Sequence, residues 1–214
     1  VSSAEVFQGP DADCTLCPRL MLFRQDNRAA HTGWHNAPVP AFGGLDARFL
    51  VVGLAPGLRG ANRTGRPFTG DYAGDLLYPT LLRYGFAQGT YKADPADGLE
   101  LVGARITNAV RCVPPENKPT LAEQKTCRSF LTAELAAMPN LRTVLALGRI
   151  AHEAVLNSLE LRKSAYPFAH GALHTLPSGL ILADSYHCSR YNLNTGRLTE
   201  AMFHEVFDDI VGAP

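Results

Sequence analysis

Cys14-Thr-Leu-Cys17 is a C-x2-C pair, and Cys112 and Cys127 stand farther along with fourteen residues between them. Thiolates ligate metals, and four of them suit either Zn2+ or an iron–sulfur cluster. Spacing alone leaves both open. Pro18 after the pair and Val113-Pro114-Pro115 after Cys112 read as punctuation of ligand loops. The fifth cysteine, Cys188, has no partner at such spacing. It follows His187 directly, so in an extended segment the two side chains point to opposite sides. Cys188 therefore reads as packing. An odd count of five argues against a disulfide framework.

A second set of residues has no metal-ligand spacing. Residues 53–71 read GLAPGLRGANRTGRPFTGD: five glycines, three arginines (Arg59, Arg63, Arg66) and a single acid, Asp71, at the end. The stretch lacks GK[ST] and G-x-G-x-x-G, so both standard phosphate cradles are missing. Asn108 closes the apolar run ARITN, and His187 opens HCSRYNLNTGRLT. An Asn side chain offers one donor and one acceptor, which is what reading the N3–H and O4 edge of a uracil ring requires. A turn-capping Asn and a satisfied core His are the plainer readings of either residue taken alone.

Four elements must position these side chains. ARFLVVGLA (47–55), ARITNAVRC (104–112), RTVLALG (142–148) and GLILADSYH (179–187) read as short buried strands. Near-continuous apolar runs suit a parallel sheet covered on both faces. Helical patterns separate them at 72–85, with Pro79 as a kink, and at 120–138, 149–162 and 197–211. Thr120 with Glu123 three residues later forms a capping box at the start of the second. The βαβαβαβα order predicts one α/β domain with a central four-stranded parallel sheet flanked by helices. An N-terminal helical region is clipped to it by the metal. Residues 1–12 read as a flexible tail and 13–214 as the domain. In such folds ligands bind at the carboxyl ends of the strands, which is where GLAPG, TNAVRC, ALG and SYHCS fall.

The composition is compatible with that domain. Of 214 residues, 46% are apolar and 19% charged, enough for a sizeable core. No apolar run reaches the ~18 residues needed to span a membrane, and with no charged-then-apolar stretch at the start a signal peptide is expected to be absent or already removed. Net charge is zero, which counts mildly against nucleic acid as a partner. The distribution differs from the sum, because 57–71 and 187–199 are basic loops while the acids fall mainly in helices.

Taken together, CTLCPRL, GLAPGLRGANRTGRPFTGD, TNAVRCVPPENKP with Cys127 following, and HCSRYNLNTGRLT resemble the uracil-DNA glycosylase superfamily. The similarity is greatest to its iron–sulfur-containing family 5 (type b) and runs from Cys14 to about Phe207. The resemblance implies a [4Fe–4S] cluster on Cys14, Cys17, Cys112 and Cys127. It implies a hydrolase of base excision repair, a monomer in the bacterial cytoplasm. Its partner is DNA containing uracil or other deaminated bases such as hypoxanthine and xanthine. Asp71 takes the position of the acid that orients water, and Phe68 that of the aromatic that stacks on the flipped base. Asn108 takes that of the base-reading amide, and His187 that of the histidine near uracil O2. Ala55, Pro56 and Gly57 match the pocket edge. Arg59, Arg63 and Arg66 are expected on DNA phosphates, with Ser189 and Thr195 as further contacts. Arg190 and Tyr191 are expected in the minor groove. One departure is Cys188, where many relatives carry Pro, a residue that would stiffen this loop. A noncatalytic iron–sulfur DNA-binding module is the alternative; it would keep the cysteines and arginines and dispense with Asp71 and His187.

Overall fold

The structure is a computed structural model and describes residues 7–212. Chain order runs α1 (Pro18–Ala30), β1 (Phe49–Gly53), α2 (Ala61–Thr64), α3 (Gly74–Arg83), β2 (Ala87–Gln88), β3 (Glu100–Leu101), β4 (Ala104–Asn108) and α4 (Leu121–Ala136). It continues with β5 (Thr143–Leu147), α5 (Arg149–Ser158), β6 (Leu173–Thr175), β7 (Ile181–Ser185), α6 (Arg190–Asn194) and α7 (Glu200–Gly212). The four strands expected from apolar runs are β1, β4, β5 and β7, and all pair in parallel.

The sheet is nevertheless five-stranded and mixed, in the order β4-β1-β5-β7-β6, because β6 adds antiparallel to the edge of β7. This corrects the expected four-stranded count. Leu173-His174-Thr175 is three residues long and largely exposed, so it carries no apolar run to announce it. A two-residue ribbon, β2 with β3, was likewise silent in the sequence.

Side-chain alternation along β1 divides the core. Phe49 and Val51 face a cluster with Leu77 and Leu81 of α3 and Phe203 and Phe207 of α7. Leu50 and Val52 face another, with Leu131 of α4 and Val155 and Leu156 of α5. A strand buried on both faces reads as FLVV rather than as an alternation. The capping box is present: Glu123 N–H donates to Thr120 Oγ1 at 3.2 Å, and Thr120 N–H donates to Glu123 Oε2 at 2.7 Å. Pro79 sits inside α3 on an exposed position.

Chain order runs from β1 outward to β4 and then back across β1 to β5. The direction of winding therefore changes at β1, and the carboxyl ends around it form the crevice where this architecture places ligands.

Of the segment expected as a tail, residues 1–6 lie outside the described residues. Phe7 lies 5.8 Å from the Arg105 guanidinium, and Ala12 O accepts from Arg28 Nη2 at 2.9 Å.

Candidate active site

β1 ends at Gly53, and there a side chain has no room. A Cβ on Gly53 would overlap Asn108 Oδ1 and come within 2.5 Å of Phe68 Cζ. The register sets Gly53 beside Asn108 on neighbouring strands. The absence of a side chain at 53 thus lets the Asn108 amide and the Phe68 ring meet over the strand end. Phe68 is placed by an unusual backbone, φ 53°, on a buried residue. Left-handed backbone costs a bulky residue about 1–2 kcal/mol. Packing against Gly74, whose missing Cβ makes space for Phe68 O, offsets it.

The rest of the glycine-rich loop wraps Asp71. A Cβ on Gly57 would lie 3.1 Å from Asp71 Oδ2, and one on Gly60 would overlap it. Asp71 Oδ1 accepts from Gly74 N–H at 3.3 Å. Burial raises the carboxyl above its ordinary range, partly countered by the backbone N–H groups of Gly74 and Ala73.

His187 closes the far wall, its ring centroid 6.0 Å from that of Phe68. Burial lowers its pKa to about 4, so the imidazole is neutral at physiological pH. Asn192 Nδ2 donates to His187 O at 2.8 Å, and Cys188 is fully buried in the core. Cys188 is packing, as its spacing suggested.

Between these groups lies a cavity of about 410 Å³, lined by Ala55, Pro56, Gly57, Phe68, Asp71, Asn108 and His187. All seven catalytic and base-contacting candidates thus share one pocket at the carboxyl ends of β1, β4 and β7. Asn108 Oδ1 is buried there without a hydrogen-bond partner. A buried acceptor left unpaired costs about 1–3 kcal/mol, a cost that a ligand donating to it would remove.

The sequence model of the Uracil DNA glycosylase superfamily matches residues 40–211. The chain belongs to that superfamily. A Type-5 uracil-DNA glycosylase of Thermus thermophilus is 50% identical over 198 residues, covering 90% of each chain. One of Mycobacterium leprae is 43% identical over 92% of this chain, and one of Pyrobaculum aerophilum 41% over 91%. A Type-4 uracil-DNA glycosylase of Thermotoga maritima is more distant, 36% identical over 64% of this chain. The chain is thus a type-5 family member and a glycosylase, which is a hydrolase.

Around the pocket of this glycosylase the basic candidates separate. Ser189 and Arg190 line the cavity, and Tyr191 projects into solvent, 71% exposed. Ser189 also caps α6, its Oγ accepting from Asn192 N–H at 3.3 Å. Thr195 is exposed, but its hydroxyl donates to Tyr191 O at 2.8 Å. Arg59 and Arg63 are exposed. Arg66 is not available to phosphates, contrary to expectation. It is 5% exposed and forks onto Asp97 through two 2.8 Å bonds, over the rings of Phe42 and Tyr78. The partner is 31 residues away, so the sequence displayed the charge without its neutralisation.

Two pocket residues carried no recognised signal. Tyr72 lines the mouth with the Arg190 guanidinium 5.0 Å from its ring. Asn117 lines the opposite loop in a left-handed conformation, φ 57°, following Glu116 at φ 55°. Asn between prolines in PPENKP was the available clue, since Asn tolerates that conformation.

The four cysteines Cys14, Cys17, Cys112 and Cys127 converge on a second, small cavity, with Leu20, Arg24 and Phe130 around them. Burial and the neighbouring sulfurs push Cys17 up to about 11; burial pushes Cys112 to about 12. Deprotonation there calls for positive charge inside the cavity. Four thiolates around one cavity suit either Zn2+ or an iron–sulfur cluster. Donors already face the sulfurs: Arg24 Nη1 lies 3.6 Å from Cys112 Sγ, and Arg111 N–H 3.4 Å from Cys127 Sγ. Arg24 Nε is buried without a partner. Such donors suit an anionic cluster.

Proposed function

We propose that the protein excises uracil from DNA by hydrolysing the N-glycosidic bond of a flipped nucleotide, and that it also accepts hypoxanthine and xanthine. Flipping costs a few kcal/mol. Stacking on Phe68 returns part of it, typically about 1–3 kcal/mol per base. Asn108 Oδ1 accepts the uracil N3–H while its Nδ2 donates to O4. Neutral His187 donates to O2 as negative charge builds on the departing base. Asp71 holds water beneath the anomeric carbon and stabilises the cationic sugar. Arg59, Arg63, Ser189 and Thr195 contact the strand, and Arg190 with Tyr191 enters the minor groove. Cys14, Cys17, Cys112 and Cys127 would hold a [4Fe–4S] cluster, whose contribution is to fasten α1, the loop after β4, and α4 together. The protein acts as a cytoplasmic monomer.

The observation that carries this reading is the unpartnered Asn108 Oδ1 over the Phe68 ring. Replacing Asn108 by Ala is expected to lower single-turnover excision of uracil by about 10²-fold, the scale of one lost transition-state contact. Excision at the wild-type rate in that variant would remove the base-reading role.

A further inference from the structure

A second cleft lies on the other side of His187. It measures about 580 Å³ and shares His187 as a wall; the chain around it supplies Arg149, Phe168, His170, Tyr186 and Arg197. No carboxylate lines it. The Arg149 guanidinium sits 5.8 Å from the Phe168 ring centre, and that of Arg197 4.8 Å from the Tyr186 ring centre. Tyr186 is also stacked on His170, with centroids 4.8 Å apart and rings 13° from parallel. That pair is fixed from below, because Tyr186 N–H donates to His170 Nδ1 at 3.1 Å. Both arginines are exposed, and neither makes an ion pair or side-chain hydrogen bond among the described residues. Arginine stacked on a ring keeps its fork of donors free and pre-oriented. Arg66, by contrast, shows what a paired arginine looks like in this fold.

We propose that this cleft is a second nucleotide site, taking an unpaired nucleotide of the bound DNA strand beside the flipped one. Its phosphate lies on Arg149 and Arg197, and its base stacks against the aromatic wall of Phe168, His170 and Tyr186. Sequence-tolerant strand binding combines these same two ingredients, a cationic rim and π-faces. Charge decides against an apolar or basic ligand: the rim has two free cations and no anion. The site rests on the reading of the neighbouring pocket as a DNA site, but its test does not require excision.

The experiment is anisotropy with a uracil-free single-stranded oligonucleotide, comparing wild type with the double variant Arg149→Gln, Arg197→Gln. Affinity should fall at least about tenfold, and the log–log salt slope should shrink by about 1.4, two lost phosphates at about 0.7 each. Melting temperature should not change, since both side chains are exposed and unpaired. An unchanged affinity and slope overturn the proposal, whatever the enzyme does to uracil. Loss of oligonucleotide binding in the double variant supports it even if no base is excised. Competition at equal concentration separates a strand site from a free-anion site. An oligonucleotide should displace the labelled strand where inorganic phosphate does not, and displacement by phosphate as readily as by oligonucleotide would overturn the strand assignment.

Discussion

Gly57 and Gly60 leave space for one carboxylate against bare backbone, and burial there raises the Asp71 pKa above 3.8 while burial lowers that of His187 to about 4. The proposed mechanism uses Asp71 ionised and His187 neutral. His187 is neutral at neutral pH, and both groups would leave those states only as the pH falls. His187 should therefore contribute no step to the pH profile of kcat/KM near 6.5, the ordinary histidine value, and should act only at lower pH. A fall centred near 6.5 in that profile would mean that His187 titrates in the working range. The same depression bears on stability. A group whose folded pKa is lowered contributes fully above its unfolded value of 6.5, and the contribution is lost as pH falls through about 4. Asp71, Asn108 and His187 were candidates in the sequence through the resemblance of their motifs, since residue type alone favoured plainer readings of Asn108 and His187. Their shared pocket was not legible, because it depends on what Gly53, Gly57 and Gly60 leave unfilled.

The loop between β1 and α3 is where sequence and structure part. Its arginines look equivalent in GLRGANRTGRPF, yet Arg59 and Arg63 are exposed while Arg66 is spent on Asp97. Replacing Arg66 by Ala should lower stability by about 3–5 kcal/mol, the cost of stranding a buried partner, and leave the salt slope of duplex binding unchanged. Replacing Arg59 by Ala should do the reverse: stability held, slope reduced by about 0.9 for one lost phosphate. Denaturant titrations and salt-dependent binding of the two variants, side by side, check both. The same limit explains β6. The four parallel strands are legible because each is buried on both faces, whereas β6 is an exposed edge that exists only because β7 offers it hydrogen-bonding partners. The capping box at Thr120 was legible because both of its partners lie within one turn.

At the scale of the whole molecule, α1 lies outside the sheet and is tied to it at few points. Leu20 packs against Val110 and the sulfurs, Arg19 pairs with Glu123 of α4 at 2.7 Å, and Arg24 reaches Cys14 O at 2.7 Å. A cluster on the four cysteines would make these contacts one unit. Replacing Cys14 by Ser should remove the broad visible absorbance of anaerobically prepared protein. It should also release α1 first, seen as faster hydrogen exchange over 18–30 while the strands stay protected. Intact protection of α1 in colourless protein would show that the helix needs no cluster. The sequence paired the cysteines by spacing, and the folded chain brings all four to one small cavity.

The most direct measurement is strand scission of a duplex carrying one uracil, after incubation with the purified protein and then alkali, run for wild type and for Asp71→Asn. Wild type is predicted to give a single break at the uracil. Asp71→Asn, which keeps the shape and removes the charge, is predicted to lose about 10²-fold or more in rate, as for other preorganised electrostatic contacts. An intact strand with wild type, or equal rates for the two proteins, would contradict the assignment of the pocket and of the carboxylate at its centre.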